Sequence, residues 1–172
     1  MERLNKPIIM TAQLGKADFA WANALRKRHF PPERNVIDAH VTLFHHLPPQ
    51  ALEEIKAAIV ALTREAPRPD AHLSGLIHLG KGVAYRLQAP DLLALRMELA
   101  KRFAGLLVAQ DQQTPRLHIT VQNKVPAREA HALFDSLSAT FEPRPLTIHG
   151  IGLHYYLDGP WQTIGTWPFR GR

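Results

Sequence analysis

Two tetrapeptides in this chain carry the same chemistry-bearing residues at the same spacing: His40-Val41-Thr42-Leu43 and, 78 positions on, His118-Ile119-Thr120-Val121. On a β-strand alternate side chains share a face, so each motif presents an imidazole and a hydroxyl on one side and two aliphatic anchors on the other. A strand histidine that occurs once is usually a hydrogen-bonded structural residue. Two copies at matching points of a repeated topology favour a shared site. Set face to face, one neutral imidazole takes a proton from an attacking water while a protonated one gives a proton to a leaving oxygen. Acid and base then lie on opposite sides of a phosphorus, as in-line displacement requires. The threonine hydroxyls can donate to its non-bridging oxygens, where transition-state charge must be held.

The elements that must position these motifs read as two similar halves. Residues 7–14 have strand character, and Ala17, Ala20, Trp21, Ala24 and Leu25 then recur at helical spacing until the prolines of residues 30–34 stop the helix. The His40 motif follows as a strand, Leu52, Ile55, Ile59 and Leu62 mark an amphipathic helix, and residues 71–79 return as a strand. After a hairpin at residues 79–82, the order repeats. A strand over 82–88 leads to a helix carrying Leu92, Leu95, Leu99, Phe103 and Leu106, a loop at 111–115 and the His118 strand. Pro126 opens a helix with Ala130, Leu133, Phe134 and Leu137 on one side, and a terminal hairpin closes the chain. The repeats span approximately residues 7–80 and 82–169 of a single domain, 1–172. A long repeat occurring twice implies a pseudo-two-fold α+β fold rather than a solenoid.

Composition narrows the chemistry. With 172 residues, the chain suits one domain, and the absence of cysteine excludes disulfides, thiol nucleophiles and cysteine-ligated zinc. A net charge of +6 is a mild preference for phosphorylated or nucleic-acid ligands. The basic run Arg26 to His29 reads as a solvated helix end, since cations suit a helix C-terminus. No apolar run reaches membrane-spanning length, and the opening residues, MERLNKP, lack an apolar signal core. A cytoplasmic location is expected.

At the repeated motifs the chain resembles the two-histidine phosphoesterase superfamily, in particular its bacterial branch of 2'-5' RNA ligases and RNA 2',3'-cyclic phosphodiesterases. That family is marked by a pair of H-x-[TS]-hydrophobic tetrapeptides in a bilobal repeat, matched here by His40-Val41-Thr42-Leu43 and His118-Ile119-Thr120-Val121 over nearly the whole chain. The resemblance implies two antiparallel sheets lining a central groove with helices packed outside. It implies catalysis by His40, Thr42, His118 and Thr120, without metal or other cofactor. The implied reaction is hydrolysis of a 2',3'-cyclic phosphate on an RNA end or small nucleotide to a 2'-phosphate, and relatives also join RNA ends through 2'-5' linkages, with a ribose hydroxyl replacing water. A monomer without membrane or obligate protein partner is expected, because the internal duplication itself builds the groove. Many relatives follow a motif with an arginine, whereas here the first continues Phe44-His45-His46 and the second Gln122-Asn123-Lys124.

Arg116 and Lys124 are therefore the candidates to offset phosphate charge, and Phe44 and Tyr156 the candidates to stack a base, with Tyr155 and Trp161 nearby in the hairpin. His45 and His46 are adjacent on a strand, so they are expected to face opposite ways and not to share a metal ion. His78, His149 and His154 are strand residues that could line the groove. The competing reading is a nucleotide- or RNA-binding module that keeps the groove but does no chemistry.

Overall fold

The computed structural model describes residues 5–172, so the first four residues of MERLNKP lie outside it. In chain order it runs β1 (Ile8–Leu14), α1 (Lys16–His29), β2 (Val41–Leu47), α2 (Leu52–Glu65), β3 (Asp70–His78), β4 (Val83–Gln88), α3 (Pro90–Arg102), α4 (Ala109–Gln112), β5 (His118–Gln122), α5 (Ala127–Ala139), β6 (Arg144–Tyr156) and β7 (Trp161–Pro168). The fold is α+β, with every strand pair antiparallel.

The 13-residue β6 organises the sheets. Its opening stretch, Arg144 to Thr147, pairs with β3, while Ile148 to Tyr155 pairs with β1 and Gly150 to Tyr156 with β7. The strand order is β2-β1-β6-β3-β4-β5, with β7 also on β6. Each sheet therefore takes strands from both sequence repeats: β6 of the second joins β1 and β2, and β3 of the first joins β4 and β5. The two motif strands, β2 and β5, stand at opposite ends of this order yet touch each other. Twisted antiparallel strands coil rather than lie flat, and here the coiling brings the two ends together.

The core follows the apolar periodicity. In β1, Ile8 to Ala12 are all buried, as befits a strand with neighbours on both sides. Along α2, Ile55, Ala58, Ile59 and Thr63 form one buried face against β6 and β7. The third helix stops at Arg102, earlier than Leu106 in the sequence reading, because Phe103 turns into the core and Gly105 takes a left-handed φ of +86°. Part of the expected 111–115 loop is the short α4, whose Asp111 is fully buried. No helix among the described residues is long and apolar enough to cross a membrane.

Candidate active site

His40 immediately precedes β2, and His118 is the first residue of β5. Both rings are half-buried and held alike: His40 Nδ1 lies 2.8 Å from the Asp38 carbonyl, and His118 Nδ1 lies 2.6 Å from the Arg116 carbonyl. A carbonyl only accepts, so each Nδ1 carries the proton and, in the neutral ring, each Nε2 is left as the acceptor. Thr42 sits opposite Thr11 on β1, and Thr120 opposite Ala84 on β4. Among the described residues neither motif hydroxyl has a hydrogen-bond partner, so both are free to donate.

His118 is close enough for its charge to act on His40. Although the residue keeps part of its surface exposed, removal from water lowers the His40 pKa to about 4, and the charges of Arg26, His118 and His154 push the same way against the favourable Asp38 carbonyl. His40 is neutral at pH 7. Its ring packs on Trp161 at 4.6 Å between centroids, and Trp161 also meets His154 at 5.3 Å. His154 is fixed by hydroxyls at both ring nitrogens, Thr11 Oγ1 and Thr163 Oγ1, each at 3.1 Å. Burial lowers its pKa as well. Gly152 makes room for this arrangement, since a Cβ there would come within 3.0 Å of both His154 Nε2 and Thr11 Oγ1. Beside these groups a cavity of about 400 Å³ is lined by Thr11, Gln13, Phe19, His40, His154 and Trp161, among others. Gln13 also lines this cavity, and its Oε1 is buried without a hydrogen-bond partner.

Buried arginines tie the two motifs together. Arg26 of α1, only 3% exposed, donates from Nη1 to the Thr120 carbonyl at 2.8 Å and from Nε to Asn35 Oδ1 at 3.1 Å. It thereby joins the second motif to the loop that delivers His40. Asn23, one turn earlier on α1, accepts the Ala39 N–H at 2.7 Å. Arg96 of α3 reaches the other motif, donating from Nε to the Leu43 carbonyl at 3.0 Å and from Nη2 to the Asp111 carbonyl at 2.6 Å. Edge strands leave backbone groups unpaired, and a guanidinium with several fixed donors is well shaped to satisfy them. The Asp111 carboxylate accepts the backbone N–H groups of His45 at 2.8 Å and His46 at 2.9 Å. Burial alone would raise the Asp111 pKa, but hydrogen bonds from the His45 ring and these two amides hold it below the usual carboxylate value.

Several expectations need correction. Phe44 does not share the Thr42 face: the β1–β2 register slips between Met10↔Phe44 and Thr11↔Thr42, and this bulge turns Phe44 inward to 0% exposure. There it meets Phe103 edge-on at 5.8 Å, with the Arg96 guanidinium 4.1 Å over its ring. A second slip, between Ile8 and Met10, exposes His45 and His46 together rather than on opposite faces. The run Arg26 to His29 is not wholly solvated, since Arg26 is buried. Lys124 lies in a turn beyond the far end of β5 from His118, with a left-handed φ of 61°. Arg116 is exposed just before His118, to which it lends its carbonyl. Tyr156 is exposed opposite Trp161 in the β6–β7 ladder, but Trp161 is the aromatic residue packed against His40, its ring tilted by 56°. His78 packs on Phe134 and His131, and His149 meets Arg68, so of the three further strand histidines His154 is the one beside His40. Trp161 and Arg26 gave no periodic signal in sequence; their roles depend on which strands pair.

The model of the 2'-5' RNA ligase superfamily matches residues 15–160. This chain belongs to that superfamily. Solved structures of similar fold include TT0787 of Thermus thermophilus, with a TM-score of 0.66 at 17% identity over 96% of this chain and 99% of that one. Another is Escherichia coli LigT complexed with 3'-AMP, with a TM-score of 0.63 at 15% identity over 95% of this chain and 98% of the other. A protein described as a phosphoesterase aligns with a TM-score of 0.59 at 19% identity, covering 96% and 98%. No curated protein sequence matches the chain. Membership of the 2'-5' RNA ligase superfamily points to a phosphoesterase-type enzyme.

Proposed function

We propose that the protein is a cytoplasmic, monomeric phosphodiesterase that opens 2',3'-cyclic phosphate ends of RNA or small nucleotides to 2'-phosphates by histidine acid–base catalysis, without a metal. The observation that carries this reading is the pair of imidazoles fixed by matching bonds to the carbonyl two residues back, with one of them, His40, held neutral. His40 Nε2 takes a proton from water as the water oxygen bonds to phosphorus. The bond from phosphorus to the 3'-oxygen breaks, and the proton on His118 Nε2 passes to that oxygen, leaving the phosphate on the 2'-position. The Thr42 and Thr120 hydroxyls donate to the non-bridging oxygens. Trp161 serves as the platform for the terminal base beside the adjoining cavity. Ligation through a 2'-5' linkage is the same displacement with a ribose 5'-hydroxyl in place of water: its oxygen bonds to phosphorus, His40 takes its proton, and the 3'-oxygen again leaves with the proton from His118.

The test is incubation of purified protein with an oligonucleotide ending in a 2',3'-cyclic phosphate, in EDTA, followed by assignment of the product phosphate by NMR. A 2'-phosphate supports the proposal. Binding without turnover points instead to the non-catalytic module, and a 3'-phosphate overturns the stated direction of opening.

A further inference from the structure

In the proposed reaction the one positive charge of the pair is the proton that His118 gives to the leaving oxygen, whereas the phosphoryl group keeps its negative charge throughout and must still be offset where water is partly excluded. The cations considered in sequence do not settle what offsets it: Lys124 is past the wrong end of β5, and Arg116 precedes the strand. The register of β4 and β5 brings another into view. Arg86 is the residue directly opposite His118, one step from Ala84 opposite Thr120. Directly opposed residues of an antiparallel pair point to the same face, with Cβ atoms about 5 Å apart. Arg86 therefore faces the side of the sheet that His118 and Thr120 face, while Tyr85 between them is buried with Ile119 on the other.

Its surroundings leave it available. Arg86 is exposed and has no ion-pair or hydrogen-bond partner for its side chain among the described residues. On its other flank the opposing residue is Gly75 of β3, where even a Cβ would meet nothing within 4 Å. The lack of a side chain at Gly75 leaves open space on that flank of a long, flexible cation standing beside an imidazole. This contrasts with Arg26, Arg96 and Arg144, whose guanidinium groups are all engaged by protein groups.

We propose that Arg86 is the phosphate anchor of this site, pairing its guanidinium with the non-bridging oxygens of the phosphoryl group presented to His118. The inference rests on the proposed function for the identity of the ligand, but its test reads binding rather than turnover. A guanidinium presents paired N–H donors that match two phosphate oxygens, which lysine offers only as a point charge.

The experiment compares wild type, Arg86→Gln and Arg86→Lys by calorimetric titration with 2'-AMP, the product of the proposed reaction, and with adenosine, which has the base and ribose but no phosphate. The expected result is at least tenfold weaker 2'-AMP binding in Arg86→Gln, partial recovery in Arg86→Lys and unchanged affinity for adenosine. Because Arg86 is exposed, the variants should melt like wild type. Unchanged 2'-AMP affinity in Arg86→Gln would mark Arg86 as a solvated surface cation. Equal weakening for adenosine would mark general damage to the groove, and either result overturns the inference, as does wild-type protein that binds neither 2'-AMP nor inorganic phosphate. Wild type that binds 2'-AMP through Arg86 yet opens no cyclic phosphate would sink the proposed reaction while leaving the anchor intact.

Discussion

The depressed basicity of His40 has a consequence that kinetics can read directly. A general base works only when deprotonated, so the acid limb of kcat/KM should fall where His40 gains its proton, at a pKa of about 4 rather than the ordinary histidine value of about 6.5. At pH 5 a base of pKa about 4 is about nine tenths neutral, whereas an ordinary histidine is only about 3% neutral, a difference of roughly thirtyfold in rate. Initial rates on a cyclic-ended oligonucleotide between pH 4 and 8 measure this, and an NMR titration of the His40 ring assigns the limb. Burial comes first among the causes; the Asp38 carbonyl, next in size, opposes it, and the positive charges of Arg26, His118 and His154 then add to the lowering. Replacing Arg26 by Met removes one of those charges, so protonated His40 becomes less costly and the limb should move to higher pH. The same lowered pKa makes the fold resist protonation. Its contribution to stability is full above the unfolded value and is lost as pH falls toward about 4, so circular dichroism should accompany the acid points. A limb centred near 6.5 with folded protein, or a His40 ring titrating there, would refute this reasoning.

Other substitutions separate groove from core. Trp161→Ala should raise KM by roughly 5- to 150-fold, the range for a lost base stack of about 1–3 kcal/mol, with a smaller change in kcat. A steady-state comparison of cyclic nucleotides with cyclic-ended oligonucleotides checks it, and an unchanged KM would remove Trp161 from the site. Phe44→Ala should instead cost about 3–5 kcal/mol of stability in urea unfolding, because a fully buried ring is deleted beside Phe103 and Arg96. Asp111→Asn keeps the side-chain shape but loses a charged acceptor of the His45 and His46 amides; chemical denaturation should show a loss of about 1–3 kcal/mol at pH 7. Since the Asp111 pKa is held down in the folded state, that loss should shrink in acid as the wild-type carboxyl itself becomes protonated.

The α+β class, the order of most elements and the placement of both motifs on strands were legible because each depends on short-range periodicity. The repeat gave the duplication, but pairing across the repeats did not follow from it. The glycines of residues 79–82 gave the β3–β4 hairpin, but no local pattern says that β6 leaves its own half to lie beside β1, or that its opening residues pair with β3. The same gap explains the errors around the site. Two bulges in β2 arise from its fit to β1 and from the Asp111 carboxylate bound 65 residues away, so counting alternate residues from Thr42 puts Phe44 on the wrong face. Arg26 reads as one more cation at a helix end until the approach of β5 buries it over the Thr120 carbonyl. Trp161 and Arg86 acquire meaning only from the residues opposite and beside them.

The most direct measurement of whether His40 and His118 act on one phosphorus is a double-mutant cycle in single-turnover hydrolysis, with His40→Ala, His118→Ala and the combined variant assayed in EDTA. Each single change should lower the rate about a hundred- to ten-thousandfold in folded protein, and the combined variant should be scarcely slower than either, as for groups that work as a unit. Losses that multiply, or a single variant that retains most of the wild-type rate, would contradict the two-imidazole chemistry.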